Sequence, residues 1–158
     1  MRSEDEKMSL FETEKRNNII GRINQLKGVE TAQWGKMNVN QMLCHCTDQL
    51  RISLGEKETG ASQANFLSKT LLKFLVVNVI PIPKNVPTSP KVDQMKDGTP
   101  PTDFENDRKI LLEYIERFVS QTDDFAWTPH FKFGKLTGKE WAILAHKHLD
   151  HHLKQFGV

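Results

Sequence analysis

Apolar side chains recur at helical spacing in four segments of the chain, and no two segments form a convincing pair of strands. Each segment follows a capping-box pattern, in which a short polar residue precedes a glutamate or glutamine by three positions. The four pairs are Ser9 with Glu12, Asn38 with Gln41, Thr102 with Glu105, and Thr137 with Glu140. Glycines at 28 and 55 indicate where the first two helices end. The pattern predicts an all-α four-helix bundle.

Two unusual stretches separate the second and third predicted helices. Residues 66–79 are strongly apolar and predict an extra helix that is either buried on several sides or in contact with a second subunit. Burial is the interpretation that the pattern favours. Residues 81–101 are rich in proline and predict a rigid, irregular excursion, for which a lid or a pocket wall is one option.

Length and charge restrict the class of protein further. The 158 residues are enough for one domain with a proper core, preceded by a polar lead-in at residues 1–8. A net charge of +2, from 22 basic and 20 acidic residues without a basic block, argues against nucleic acid as a partner. The most apolar stretch contains Lys69 and Lys73 and is too short for a membrane span.

Cysteine use and the start of the chain bear on localisation. Cys44 and Cys46 are too close together in the sequence to crosslink two loops by a disulfide, and no other cysteine is present to pair with them. The first residues lack the apolar segment of a secretion signal. Together these features predict a reduced, cytoplasmic setting.

The last predicted helix carries four of the six histidines. At roughly 100° per residue, His148 and His152 lie on the same stripe as Trp141 and Leu144, one turn apart. Two imidazoles at positions i and i+4 can bind one transition metal ion from a single helix face. His146 lies about 200° from His148 and is excluded from such a site.

A third candidate ligand lies in the second helix. His45 recurs with Met42, Gln49 and Ile52 on the face that points inward. A lone histidine on such a face is usually a hydrogen-bonded core residue, but two further histidines in the last helix favour a shared site. Successive side chains on a helix diverge, so the cysteines on either side of His45 predict core packing. If the segment were instead extended, the two thiols would share a face and could form a thiolate site.

Three imidazoles on two facing helices predict an open metal site. Neutral imidazole accepts Zn²⁺, Ni²⁺ or Fe²⁺, so the sequence does not select among them. Three protein ligands leave a position for water or substrate, as in catalytic zinc sites, and a bound metal could activate water or a thiol. Asp48 and Gln155 are predicted to orient ligands, and His130 and His151 to move protons. For His130, a solvated loop position is the competing interpretation.

Three segments of the chain resemble the DinB/YfiT-like superfamily of metal-dependent proteins, in particular one of its uncharacterised branches. They are QMLCHCTDQL in the second helix, GKLTGKEW before the last, and AHKHLDHHLKQFGV at the end, and the resemblance spans about residues 11–158. It implies a four-helix bundle, often dimeric, with a divalent metal held by one histidine of the second helix and two of the last. Those positions match His45, His148 and His152.

The resemblance also implies two kinds of activity. Related members are transferases that use low-molecular-weight thiols, and hydrolase activity has been proposed for others. The excursion over residues 55–101 departs from the simplest members, so the substrate stays open. The sequence thus predicts a metal-dependent hydrolase or thiol transferase acting on a small molecule. The alternative is a non-enzymatic metal-binding bundle that serves as an oligomerisation module, such as a homodimer, or as a protein-interaction module.

Overall fold

The computed structural model describes residues 8–158, and within that range the protein is all-helical, without β-strands. Four α-helices alternate with loops and shorter helical turns. They are α1 (Thr13–Gln25), α2 (Val39–Ser53), α3 (Phe104–Val119) and α4 (Gly138–Gln155). The all-α prediction is therefore confirmed. The predicted polar lead-in lies, except for Met8, outside the described residues.

The four helices share one apolar core. Helix α2 packs along α3, while α4 contacts both α1 and α2. Each large apolar side chain that is removed from water contributes about 1.5–3 kcal/mol to the stability of the fold. The largest fully buried side chains include Ile19, Ile23, Leu43, Leu50, Leu111, Ile115, Phe118, Trp141, Leu149 and Leu153. This packing places one face of α4 directly against α2.

The two helices that carry the candidate ligands begin where the capping boxes predict. The Asn38 side chain accepts a hydrogen bond from Gln41 N at 2.8 Å, and Gln41 Oε1 accepts one from Asn38 N at 2.9 Å. Thr137 and Glu140 form the same reciprocal pair at the start of α4. Each box satisfies two backbone N–H groups that the helix itself leaves without partners. The faces of α2 and α4 are thereby fixed from their first turns.

The other two predicted capping boxes are wrong. Helix α1 begins after Glu12, and the Ser9 hydroxyl instead accepts a hydrogen bond from Phe11 N at 3.2 Å. Helix α3 is capped by Asp103, whose carboxylate accepts from Asn106 N at 3.0 Å. Aspartate is a better N-cap residue than threonine, so the helix starts one residue later than predicted.

The apolar stretch between α2 and α3 is helical but is not buried. Residues 66–79 form a run of helical turns with two wide π-helical segments, Ser68–Leu72 and Leu75–Val79. The second segment packs against α4 through the buried Val77, and the opposite side faces outward. Five large apolar residues are more than half exposed, namely Phe66, Leu67, Leu71, Phe74 and Val79. The expectation of burial is therefore wrong for a single copy of the chain.

The proline-rich segment returns along α2 and closes one side of the molecule. Its one helical turn, the 3₁₀ segment Pro90–Val92, contacts α2. The fully buried Asp48 carboxylate of α2 accepts hydrogen bonds from Thr99 N at 2.8 Å, from Thr99 Oγ1 at 2.6 Å and from Gln94 Nε2 at 3.0 Å. The segment is thus held in place as a wall, in agreement with the prediction.

Among the described residues, the helices are too short or too polar for any of them to cross a bilayer.

Candidate metal centre

Helices α2 and α4 bring three histidines together. His45 Nε2 lies 2.9 Å from His148 Nε2, and one nitrogen from each of His45, His148 and His152 lies within 4.8 Å of the others. The ring centroids are 4.5–4.8 Å apart. His148 and His152 are one turn apart on α4, and the contact between α4 and α2 brings His45 opposite them. The structure thus places together the three residues that the sequence selects.

Two of the rings are oriented by carbonyl oxygens. His45 Nδ1 lies 2.7 Å from the Val92 carbonyl oxygen, and His152 Nδ1 lies 2.8 Å from Gln155 Oε1. The Gln155 amide nitrogen in turn donates to the Trp34 carbonyl at 2.6 Å. Because these oxygens only accept, each Nδ1 must carry a proton, and each Nε2 keeps a free lone pair. Both lone pairs belong to the side of the ring that faces the cluster.

His148 is held differently. Its Nδ1 is buried and has no hydrogen-bond partner in the described part of the chain, while its Nε2 faces His45. Its position therefore depends on packing and on what its Nε2 contacts. Since the Nε2 of His45 is an acceptor, its 2.9 Å contact with His148 Nε2 requires either a proton on His148 Nε2, which then donates to His45, or a cation between the two nitrogens.

Burial keeps the three rings neutral. Loss of hydration lowers the pKa of His45, lowers that of His148 well below the usual value, and lowers that of His152 to about 3. For His148 and His152 the neighbouring imidazoles add to this effect, since two positive rings would repel each other. Neutral imidazole is the form that binds metal ions, so no proton has to be displaced from a charged ring near neutral pH.

The spacing of His45 Nε2 and His148 Nε2 fits a shared divalent ion, whereas separations in the set of three reach up to 4.8 Å. Two nitrogens on one ion can be no more than about 4.2 Å apart, so binding would draw the third ring inward. Two imidazole nitrogens bound to one ion at about 2.1 Å lie about 3.0 Å apart at a right angle and about 3.4 Å apart at the tetrahedral angle. The observed separation of 2.9 Å between His45 Nε2 and His148 Nε2 is close to the smaller value. Three buried neutral nitrogens, two of them held with the lone pair inward, form the kind of site that binds transition metals.

The two cysteines take no part in this cluster. Cys46 lies in the apolar core with its Sγ 3.7 Å from the sulfur of Met42, and burial raises its pKa. Burial and the nearby Asp107 carboxylate raise the pKa of Cys44 to about 12. Both thiols therefore stay protonated, whereas a metal ligand must be a thiolate. The prediction of core packing holds, and the helical conformation of α2 removes the alternative of a shared thiolate face.

The three histidines border a cavity of about 770 Å³. Its walls come from residues 34–37 before α2, from the proline-rich segment, and from the turn at residues 130–133 before α4. Most of the side chains in these walls are apolar. This volume is within the range of about 300–1,000 Å³ that is usual for small-molecule sites.

Asp48 does not orient His45 as predicted. Both ring nitrogens of His45 have other partners, and the carboxylate faces the proline-rich segment, with Arg51 and Lys57 each 3.5 Å away. A residue at i+3 is displaced by about 60° around the helix from the face of residue i, and here that displacement turns Asp48 toward the loop. The orienting role belongs to the Val92 carbonyl, which no side-chain pattern could have indicated.

The two predicted proton carriers both border the cavity. His130 Nδ1 accepts hydrogen bonds from the backbone N–H groups of Lys132 at 3.1 Å and Phe133 at 3.3 Å, so its proton is on Nε2. Its ring stacks on Phe133, and burial lowers its pKa to about 4, which excludes the solvated loop position. His151 is half-buried and meets the ring of His152 edge-on at 5.1 Å. Their roles in proton transfer stay predictions.

The remaining α4 residues agree with the helical stripe. His146 is buried away from the cluster, on the side of α4 where Arg22 and Asp150 are found, as its angular offset predicts. Gln155 is almost fully buried and contacts His152, the position from which the sequence expects it to orient a ligand. The sequence did not identify Trp34, whose backbone carbonyl accepts a hydrogen bond from the Gln155 side-chain amide and holds that amide in place.

Replacing Gly35 with alanine is expected to weaken metal binding without removing a ligand. Gly35 has a φ of 80°, and an added Cβ would lie 2.7 Å from the Gln155 amide nitrogen. The amide would have to move away from His152, and loss of such an orienting partner lowers metal affinity by about 10–100-fold. The measurement is isothermal titration with Zn²⁺.

The matched control for this substitution is Gly21→Ala, because a Cβ at that position in α1 meets no atom within 4 Å. It should leave metal affinity unchanged and stabilise the helix by up to about 1 kcal/mol. Equal affinities in the two variants would show that the Gly35 contact does not control the orientation of His152.

Comparison with known proteins places the chain in a family. A family model described as "Protein of unknown function (DUF1569)" matches residues 5–157. No curated protein and no solved structure matches the chain. The match covers all four helices and the three clustered histidines. The chain therefore belongs to the DUF1569 family of proteins of unknown function.

Proposed function

We propose that the protein is a metal-dependent enzyme with the DinB/YfiT-like four-helix-bundle fold, and that it catalyses hydrolysis or thiol transfer on a small molecule. One observation carries the proposal. The Nδ1 atoms of His45 and His152 are bound to carbonyl oxygens, so two imidazole lone pairs face a third histidine at the edge of a large cavity. A purely structural cluster of buried histidines would not need an adjoining cavity of this size.

The residues of the site have distinct tasks in this proposal. His45, His148 and His152 would hold a divalent ion. The Val92 carbonyl orients the ring of His45, and the side-chain amide of Gln155 orients the ring of His152. When bound, the ion supplies Lewis acidity that lowers the pKa of water or of a low-molecular-weight thiol. A set of only three protein ligands is typical of catalytic zinc sites.

His130 offers a second chemical function within the same cavity. Because its Nδ1 accepts from two backbone N–H groups, its Nε2 carries a proton and can donate a hydrogen bond to a bound substrate. The ring is fixed by its stack on Phe133 and its contact with Trp141. A rigid neutral donor of this kind stabilises negative charge that develops on a substrate oxygen. His151, on the other side of His152, is the second candidate for moving a proton.

The test joins metal analysis to an activity screen. Protein purified from media supplemented with zinc, nickel or iron is expected to contain about one divalent ion per chain. The screen offers activated esters for hydrolysis and electrophilic aromatic substrates with several low-molecular-weight thiols. Turnover should disappear after chelation and return when the metal is added back. Turnover that survives complete removal of the metal, or protein that binds none of the three metals, would contradict the proposal.

The exposed apolar residues on the outer side of residues 66–79 favour a second candidate function. In this alternative the metal site stabilises a non-enzymatic module that forms a homodimer through that surface. Sedimentation of the wild type and of a Phe66→Ser, Phe74→Ser variant distinguishes the two. The alternative requires a wild-type dimer, a monomeric variant and no turnover. Val29→Ser, at an equally exposed residue elsewhere, is the control and should keep the wild-type state.

A further inference from the structure

We propose that the cavity beside the three histidines binds small molecules that join an apolar body to a carboxylate or a similar singly charged anion. This rests on the proposed function in one respect only, which is that the cavity is taken as the substrate site. It goes further by naming the chemical class of the ligand and two lysines that select it.

The charged side chains that line the cavity are mostly lysines. Four lysines and one carboxylate, that of Asp93, are in its walls. Asp93 is matched by Lys96 at 3.5 Å, and Lys91 lies 3.8 Å from Asp97. The remaining two, Lys36 and Lys132, form no ion pair with any acidic side chain among residues 8–158.

Positive charge is more strongly in excess in the cavity walls than in the whole chain. The walls contain four lysines and one carboxylate, whereas the whole chain has 22 basic and 20 acidic residues and a net charge of only +2. The histidines of the site do not offset this excess, because buried neutral rings carry no charge. Lys132 is partly buried, between His130 and Phe133 on the turn before α4. In such a place a charge acts through less water and attracts an anion more strongly than it would on the open surface.

The other side chains that line the cavity favour a ligand with an apolar body. Trp34, Ile82, Val86 and Phe131 present rings and branched side chains to the same space. Removal of their surfaces from water favours a ligand with aromatic or aliphatic groups. A purely polar anion such as inorganic phosphate would leave these walls uncovered. An uncharged apolar molecule would leave Lys36 and Lys132 without a counter-charge.

The test compares two fluorescent probes that differ in a single group. Anilinonaphthalene sulfonate carries one negative charge, and phenylnaphthylamine has the same aromatic framework without the sulfonate. Binding of both is measured for the wild type, Lys36→Gln, Lys132→Gln and the double variant. The control is Lys135→Gln, because Lys135 is exposed and lies outside the cavity lining.

The sulfonate probe is expected to bind more weakly to each single variant, by up to about fivefold for the partly buried Lys132 and by less for the exposed Lys36, since ion pairs of exposed groups contribute no more than about that factor. The uncharged probe should bind all variants equally, and Lys135→Gln should change neither affinity. Equal losses for the two probes, or no loss of the sulfonate probe, would overturn the inference. So would loss of sulfonate-probe binding in the Phe66→Ser, Phe74→Ser variant, because the probe would then be on the outer apolar surface.

The probe titrations can support or reject the ligand class independently of the proposed function. The same titrations are run on protein as purified and on chelated protein, with the metal content measured for each sample. Selection by the lysines in metal-free protein would support the ligand class even if no catalytic metal were found. Conversely, a metal-dependent turnover without lysine selectivity would retain the proposed function and reject the ligand class.

Discussion

The affinity of the protein for a divalent ion is expected to fall by more than about 100-fold when His45 is replaced with alanine, which exceeds the usual effect of losing an orienting partner. His45 is the only ligand candidate contributed by α2, so the variant keeps just the i, i+4 pair of α4. Two imidazoles on one helix bind a transition metal, but they leave it exposed to exchange with water and buffer. Competition titration against a chromophoric chelator measures the change.

A stability measurement gives an independent check on the same variant. A metal ion at about 100 times its dissociation constant stabilises the native state by about 2.7 kcal/mol, and at the same metal concentration this increment should fall to about 0.4 kcal/mol or less in His45→Ala. The matched control is His146→Ala, which also removes a buried imidazole but lies outside the cluster. It should destabilise the metal-free protein yet keep the full increment. Unchanged metal occupancy in His45→Ala would reject the assignment of the site.

The second large effect is expected at Asp48. Replacing it with alanine should lower the free energy of unfolding by about 3–5 kcal/mol, the range for breaking a buried, paired charge. The variant leaves the Thr99 backbone N–H and hydroxyl without their acceptor, as well as the Gln94 amide. It also removes the counter-charge of Arg51 and Lys57. The proline-rich segment should detach from α2 before the helices unfold.

Urea denaturation gives the loss in stability, and amide hydrogen exchange over residues 81–103 shows where it arises. Asp97→Ala is the control, because Asp97 lies on the same segment but is exposed, and among residues 8–158 its one ion pair is with Lys91. A surface change of that kind alters stability by no more than about 0.5 kcal/mol. Similar losses in the two variants, or exchange that stays slow throughout the segment in Asp48→Ala, would show that Asp48 does not anchor it.

The histidine cluster could be predicted because its determinants are local and periodic. Two capping boxes fix where α2 and α4 begin, and the helical repeat then decides which faces carry His45, His148 and His152. The pairing of those two faces was inferred from the histidines that both carry, because a shared site requires the two faces to meet. The same repeat excluded His146 from the cluster. Where a helix start is set by a strong signal, side-chain direction can be read from the sequence.

The parts that were predicted wrongly depend on long-range contacts. The orientation of His45 relies on a backbone carbonyl, and every residue has one, so no residue type marks Val92 as special. Asp48 has a plausible local partner in His45, but its carboxylate instead accepts three hydrogen bonds from Gln94 and Thr99, about fifty residues further along the chain. Whether the outward face of residues 66–79 is buried likewise depends on a second surface that could cover it. The sequence of one chain does not show whether such a surface exists.

The hydrogen bond between His45 and Val92 would couple the binding of a metal ion to the ordering of the proline-rich segment. An ion that favours the oriented ring must favour the closed segment by the same free energy, because linkage between two equilibria acts equally in both directions. A substrate that pushes the segment outward on entering would weaken the hold on the ion, and one that draws it inward would tighten it. For a substrate that draws the segment inward, ion exchange would be fastest between turnovers, and ion retention greatest while substrate is bound.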